Sequence, residues 1–249
     1  MSGHSKWSTI KRAKGATDAK RGQLFTKLAR EITVAARSGV PDPEANGRLR
    51  LAIQRARSEN MPRDNIERAI ERAKGAGAGD NFDEVMYEAF LPGGIAIVIQ
   101  AQTDNRNRTV GEVRAVLTRG GGNLGADGSV AWMFDNVGQI AVKNGDKDAD
   151  DIAMIAVDAG ASEFETDDEL SVIYTEPTEL HVVQESLTGA GLEIESADLV
   201  MKPKDSVPVE ADQAVKVFRV IEKLEDLDDV QSVYSNLELT DEVFAQVSA

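Results

Sequence analysis

Hydrophobic positions recur every three to four residues through the first 75 residues, then give way to short apolar runs. Between Lys20 and Arg37, apolar Leu24, Phe25, Leu28, Ile32 and Ala35 fall on one arc of a helix. Lys20, Lys27, Arg30 and Arg37 gather on the opposite side. Gly39 ends this helix. Asp42-Pro43-Glu44 predicts the next start, with an N-cap, a proline at the first helical position and an acid in the first turn. Its apolar stripe is Leu49, Ala52, Ile53 and Ala56, ringed by Arg48, Arg50, Arg55 and Arg57. Pro62 opens a third helix with a core face of Ile66, Ala69, Ile70 and Ala73, and with Arg63–Glu67 and Asp64–Arg68 at i,i+4.

Gly75-Ala-Gly-Ala-Gly-Asp80 reads as a linker. Beyond it, runs 85–91 and 95–102 flank Pro92-Gly93-Gly94 as a hairpin, and 109–119 is a helix stopped by Gly120-Gly121-Gly122. Residues 129–134 read as a further strand. From Gln139 the predicted order is strand 139–143, helix 148–159, strands 162–166 and 170–175, helix 177–189 and strand 192–201. That is the βαββαβ pattern of a ferredoxin-like antiparallel sheet. A helix over 210–226 and a strand over 230–234 follow, and they complete the sheet begun at Val85. The expected fold is therefore α+β, with a helical N-terminal domain followed by two α/β (ferredoxin-like) lobes, one inserted in the other. The boundaries are 1–80 for the basic helical domain, 81–136 with 207–249 for the interrupted middle domain, and 137–206 for the inserted one.

Charge changes this picture. Residues 1–80 carry 17 Lys+Arg against 9 Asp+Glu, whereas the remaining residues carry 11 against 34, within a chain of net charge −15. A basic head on an acidic body attracts polyanions at one patch and repels them elsewhere. Hydrophobic content of 41% and 29% charged residues describe a globular chain without a run long enough to span a membrane. The start has no apolar signal-peptide core, so a cytoplasmic location is expected. There is no cysteine, and His4 and His181 are the only histidines, which excludes thiolate chemistry and His-rich or Cys-bound metal sites. Carboxylates are plentiful but identify no catalytic pair. No enzyme activity, cofactor or metal is expected.

Within residues 1–37, nine cations face only Asp18 and Glu31. A solvated face normally mixes both signs, so Lys6, Lys11, Arg12, Lys14, Lys20, Arg21, Lys27 and Arg30 are read as a phosphate-binding group. Trp7 either stacks on a base or packs into the helical core. Thr103-Asp-Asn-Arg106-Asn-Arg108-Thr109 lies between a strand and a helix. There Arg106 and Arg108 either form a second anion site at a helix N-terminus or pair with acids behind an Asn105 or Asp104 cap. Gly120–Gly125 spells GxGxxG after a helix rather than after a strand, and Asp146–Asp150 starts like a calcium loop whose glycine and bidentate glutamate are missing. The acid runs 163–169 and 225–229 read as solvated faces that keep nucleic acid off the body.

Several segments are familiar as a set. They are Gly3-His-Ser-Lys-Trp7, Asp18-Ala-Lys-Arg-Gly22 with Phe25-Thr-Lys27, and Asn60-Met-Pro62 with Asp64-Asn-Ile-Glu-Arg-Ala69. Pro92-Gly-Gly94, the Thr103–Thr109 heptapeptide, Gly128–Phe134 and Leu227–Asn236 belong with them. Together they resemble the YebC/PmpR family, which includes the mitochondrial translational activator of cytochrome c oxidase subunit I. The resemblance spans the chain and departs from the family pattern at Ala89-Phe90-Leu91 and Lys14-Gly15. It implies a helical domain plus two α/β domains and a cytoplasmic regulator of gene expression. DNA is the leading partner it implies, for a transcriptional regulator. Ribosomal or transfer RNA is the alternative, for a ribosome-associated translation factor. A hydrolase using carboxylates stands as a remote third reading.

Overall fold

The structure is a computed structural model that describes residues 18–75, 81–167, 169–240 and 243. Its first three helices are α1 (Asp18–Ser38), α2 (Gly47–Ser58) and α3 (Arg63–Lys74). They bury Leu28, Ile32, Ala35, Leu49, Ile53, Ala56 and Ile66 against one another, the faces that the 3.6-residue period predicts. Helix α2 begins later than Asp42. Asn46 is its N-cap, accepting from the Leu49 amide at 3.0 Å, while its own amide donates to Ala35 O and Val40 O at 2.8 and 2.9 Å. One side chain thus closes the end of α1 and opens α2, and a Cβ on Gly39 would lie 2.8 Å from it. Asp42 and Pro43 occupy a turn instead.

Strands β1 (Asp83–Leu91) and β2 (Ile95–Thr103) form the hairpin, followed by α4 (Arg106–Arg119) and the short β3 (Asn123–Leu124). The chain then builds a second sheet from β4 (Phe134–Lys143), α5 (Ala149–Asp158), β5 (Glu163–Thr166), β6 (Leu170–Thr175), α6 (Leu180–Gly189) and β7 (Glu193–Pro203). It returns to the first sheet through α7 (Ala211–Glu225) and β8 (Val230–Ser235). The sheets are four-stranded and antiparallel, with orders β3-β1-β2-β8 and β5-β6-β4-β7. The second order is that of the ferredoxin-like pattern, and the whole is α+β as its periodicities predict. Helices α4 and α7 cover one face of the first sheet through Val113, Leu117, Val217, Phe218 and Ile221. Its other face meets the second sheet through Ala96, Val98, Phe134, Val200 and Tyr234. Strand β2 is buried on both faces, which is why Ile95–Ile99 is apolar without alternation.

Residues 129–134 are not the expected strand. Glu88, buried on β1, accepts from the amides of Gly128 (2.6 Å), Val130 (2.5 Å) and Ala131 (2.8 Å), which folds the segment into a turn and a 3-10 helix over Ala131–Met133. With those donors turned onto one carboxylate, ladder pairing begins only at Phe134, opposite Pro203. Burial opposes the charge on Glu88, but the three amides outweigh it and hold the carboxyl below its ordinary value. Glu88 thus adds stability that is full above the unfolded glutamate value, about 4.3, and is lost as pH falls through the lower folded one. Glu88→Gln is expected to cost about 1.5–3 kcal/mol in urea unfolding at pH 7. The difference from the parent should narrow as the pH falls below 4; a constant difference would remove the charge from this explanation.

Candidate nucleic-acid interface

The cationic side of α1 does not lie wholly in solvent. Its stretch from Gln23 to Arg30 rests on the turn after α7, where the last carbonyls of a helix lack intrahelical donors and carry the negative end of its dipole. Gln23 Nε2 donates to Asp226 O at 2.6 Å and to Asp228 Oδ1 at 3.0 Å, and Lys27 Nζ to Glu225 O at 2.5 Å. Arg30 Nη1 reaches Gln102 O (2.7 Å), Asp228 O (3.1 Å) and Asp229 Oδ1 (2.9 Å), with its guanidinium 4.7 Å from the centre of the Phe82 ring. The acid run 225–229 is therefore a receptor for α1 rather than a solvated face. A helical projection locates the cations opposite the core but cannot say what they meet.

Asp229 is the centre of this seam. Its buried carboxylate takes Arg30 on one oxygen and, on the other, Arg108 Nη2 (2.6 Å), Thr109 Oγ1 (2.6 Å) and Thr103 Oγ1 (3.1 Å). Asn105 caps α4 by accepting from the Arg108 amide at 3.1 Å. Arg108 also meets Asp104 at 2.7 Å, and Arg106 meets Asp83 at 2.7 Å. Burial disfavours a charged Asp229, yet Arg108, the two threonine hydroxyls and Arg30 hold its carboxyl below the ordinary aspartate value. The hydrogen bonds to Asp229 and Asp104 hold the Arg108 guanidinium charged. The Thr103–Thr109 heptapeptide, the 225–229 turn and α1 thus meet at one carboxylate. Beside it, Arg48 joins Glu31 of α1 (3.0 Å) to Glu84 of β1, which ties the helices to the first sheet a second time.

Lys27, Arg30 and Arg108 are accordingly committed to the seam, and the Arg30 side chain is only 12% exposed. Lys20 stands 4.0 Å from Asp226 with both groups in solvent. Arg21 is exposed and has no ion pair among the described residues; the same holds for Arg57 on α2 and Arg72 on α3. Lys6, Trp7, Lys11, Arg12 and Lys14 lie outside the described residues. Sequence reasoning missed Asp229 as the organiser, although it sits within the Leu227–Asn236 segment quoted above. Among the described residues, no group of three or more acidic or histidine side chains is placed to hold a metal, and no helix is long and apolar enough to cross a membrane.

Residues 5–76 match the family described as the TACO1/YebC protein N-terminal domain, and residues 82–237 match the TACO1/YebC second and third domain. The chain belongs to the TACO1/YebC family. Among its TACO1/YebC relatives, a protein of Roseiflexus castenholzii named "Probable transcriptional regulatory protein" is 51% identical over 99% of this chain and 98% of its own length. One of the same name from Pelotomaculum thermopropionicum is 49% identical over 97% of this chain and all of its own. The crystal structure of a conserved hypothetical protein from Aquifex aeolicus is 46% identical, with a TM-score of 0.84 over 91% of this chain and 93% of that one.

Proposed function

We propose that this TACO1/YebC protein regulates gene expression by binding nucleic acid, with DNA the leading partner and no catalytic step of its own. The observation that carries this is the partition of cations. On α1, those near the 225–229 turn are spent on the seam, while Arg21, Arg57 and Arg72 remain in solvent without acidic partners among the described residues. The basic segment from Lys6 to Lys14 continues the same charge in the sequence. An acidic body behind such a surface favours a single orientation towards phosphates. The names of the relatives as transcriptional regulators favour DNA. The natural place of such a protein is the cytoplasm.

A second reading, a translation factor bound to ribosomal or transfer RNA, has its own support. Arg21, Arg57 and Arg72 are spread over three helices, an arrangement suited to backbone and shape recognition rather than to one helix reading base edges in a major groove. Crosslinking in living cells, followed by sequencing of attached DNA and RNA, separates the two. Promoter peaks that survive ribonuclease are the expected result for transcription. Enrichment in ribosomal or transfer RNA would transfer the assignment to translation, and enrichment in neither would contradict both.

A further inference from the structure

Between α1 and α3, against Phe82, lies a cavity of about 270 Å³ that the seam does not fill. Its apolar surface comes from Phe25, Met61 and Phe82, and its polar groups are Asn65, Arg68 and Arg72 with Arg30 behind. None of the eleven described residues lining it is acidic, in a chain with 43 acids against 28 bases. Phe82 is held from one side by the Arg30 guanidinium, itself locked to Asp229. Arg68 uses Nε on Asp64 O and one terminal nitrogen on Asn65 Oδ1, which leaves further N–H donors free and turns the Asn65 amide into a fixed donor. Arg72 has no side-chain partner among the described residues and is exposed.

Aromatic rings, a fixed amide and arginines without acidic side-chain partners among the described residues match one chemistry, a base carrying a phosphate. The volume lies just below the range of ligand pockets, about 300–1000 Å³, and suits a single unit rather than a stacked pair or a duplex. We infer that this cavity accepts one unpaired nucleotide of a single-stranded nucleic acid, its base against Phe25 or Phe82 and its phosphate on Arg68 and Arg72. This rests on the nucleic-acid reading and adds to it a requirement for an unpaired base, which a looped RNA or a melted DNA strand supplies. A base inside a duplex remains stacked and cannot enter.

The test uses the full chain, an eight-nucleotide single strand in ribo and deoxy forms, and a blunt duplex of the same sequence. Binding is followed by fluorescence anisotropy and by the Met61 methyl and Asn65 amide signals in NMR spectra. The single strand is expected to shift both signals. Arg68→Ala with Arg72→Ala, at exposed positions, is expected to weaken single-strand binding at least 10-fold and duplex binding less than 3-fold. Phe25→Leu keeps an apolar side chain but removes the ring, and is expected to weaken single-strand binding about 5–150-fold. The ribo and deoxy strands tell RNA from DNA as the source. If the single strand binds while Met61 and Asn65 do not move, the cavity inference is overturned and the wider reading survives. If neither strand nor duplex binds at low salt, both are overturned.

Discussion

Replacing Asp229 by alanine is expected to destabilise the protein by about 3–5 kcal/mol, the range for removing one partner of a buried ion pair. Asp229 is 2% exposed, and its carboxylate satisfies four side chains from two segments, α1 and the Thr103–Thr109 heptapeptide. Its loss leaves Arg30 charged, largely buried and dependent on backbone carbonyls alone. It also removes the acceptor shared by the Thr103 and Thr109 hydroxyls and one partner of Arg108. Asp229→Asn keeps the shape and one acceptor oxygen, and is expected to cost about 1–3 kcal/mol. Because folding lowers the Asp229 pKa, its contribution is complete above the unfolded aspartate value, about 3.9. It disappears as pH falls through the lower folded value. Denaturant unfolding from pH 7 to pH 2 should therefore show the parent and Asp229→Asn converging only below about pH 4. A cost under about 1 kcal/mol for Asp229→Ala at pH 7 would mean that the seam does not depend on this residue.

The second large effect concerns binding. Reversing Lys11, Arg12 and Lys14 to glutamate is expected to weaken nucleic-acid affinity on the order of 10³-fold at about 50 mM salt, from the loss of about three phosphate contacts. The same change should make the slope of log K against log salt shallower by about 2.7. Unfolding of the variant at the parent's denaturant midpoint would show that charge, not stability, is lost. Unchanged affinity at low salt would remove this segment from the interface.

The helices and the second sheet were legible because each segment's apolar period matches one face of one element. Ile152 and Ala156 lie inward on α5, as do Leu180, Val183 and Leu187 on α6. Sequence reasoning failed where one side chain serves residues far away. Glu88 looks like any outward position of a strand, yet it gathers three amides some forty residues on and converts a predicted strand into a turn. Asn46 outcompetes Asp42 as a cap because it also satisfies the end of α1, a contact invisible to local capping rules. The same limit applies to the cations. Lys27 and Arg30 read as solvent-facing from the helical projection, and only the fold brings the carbonyls of α7's last turn and Asp229 to them. What composition did carry was the sign of the field, since seam pairing leaves Arg21, Arg57 and Arg72 unpartnered among the described residues.

The most direct test of a phosphate-binding role is the affinity of the intact protein for a duplex DNA and a structured RNA as salt rises from about 50 to 200 mM. With about six phosphate contacts, affinity is expected to fall on the order of 10³-fold along a straight line in log–log form. Affinity that stays flat across this range, or is absent at its low end, would contradict nucleic-acid binding through the basic helices.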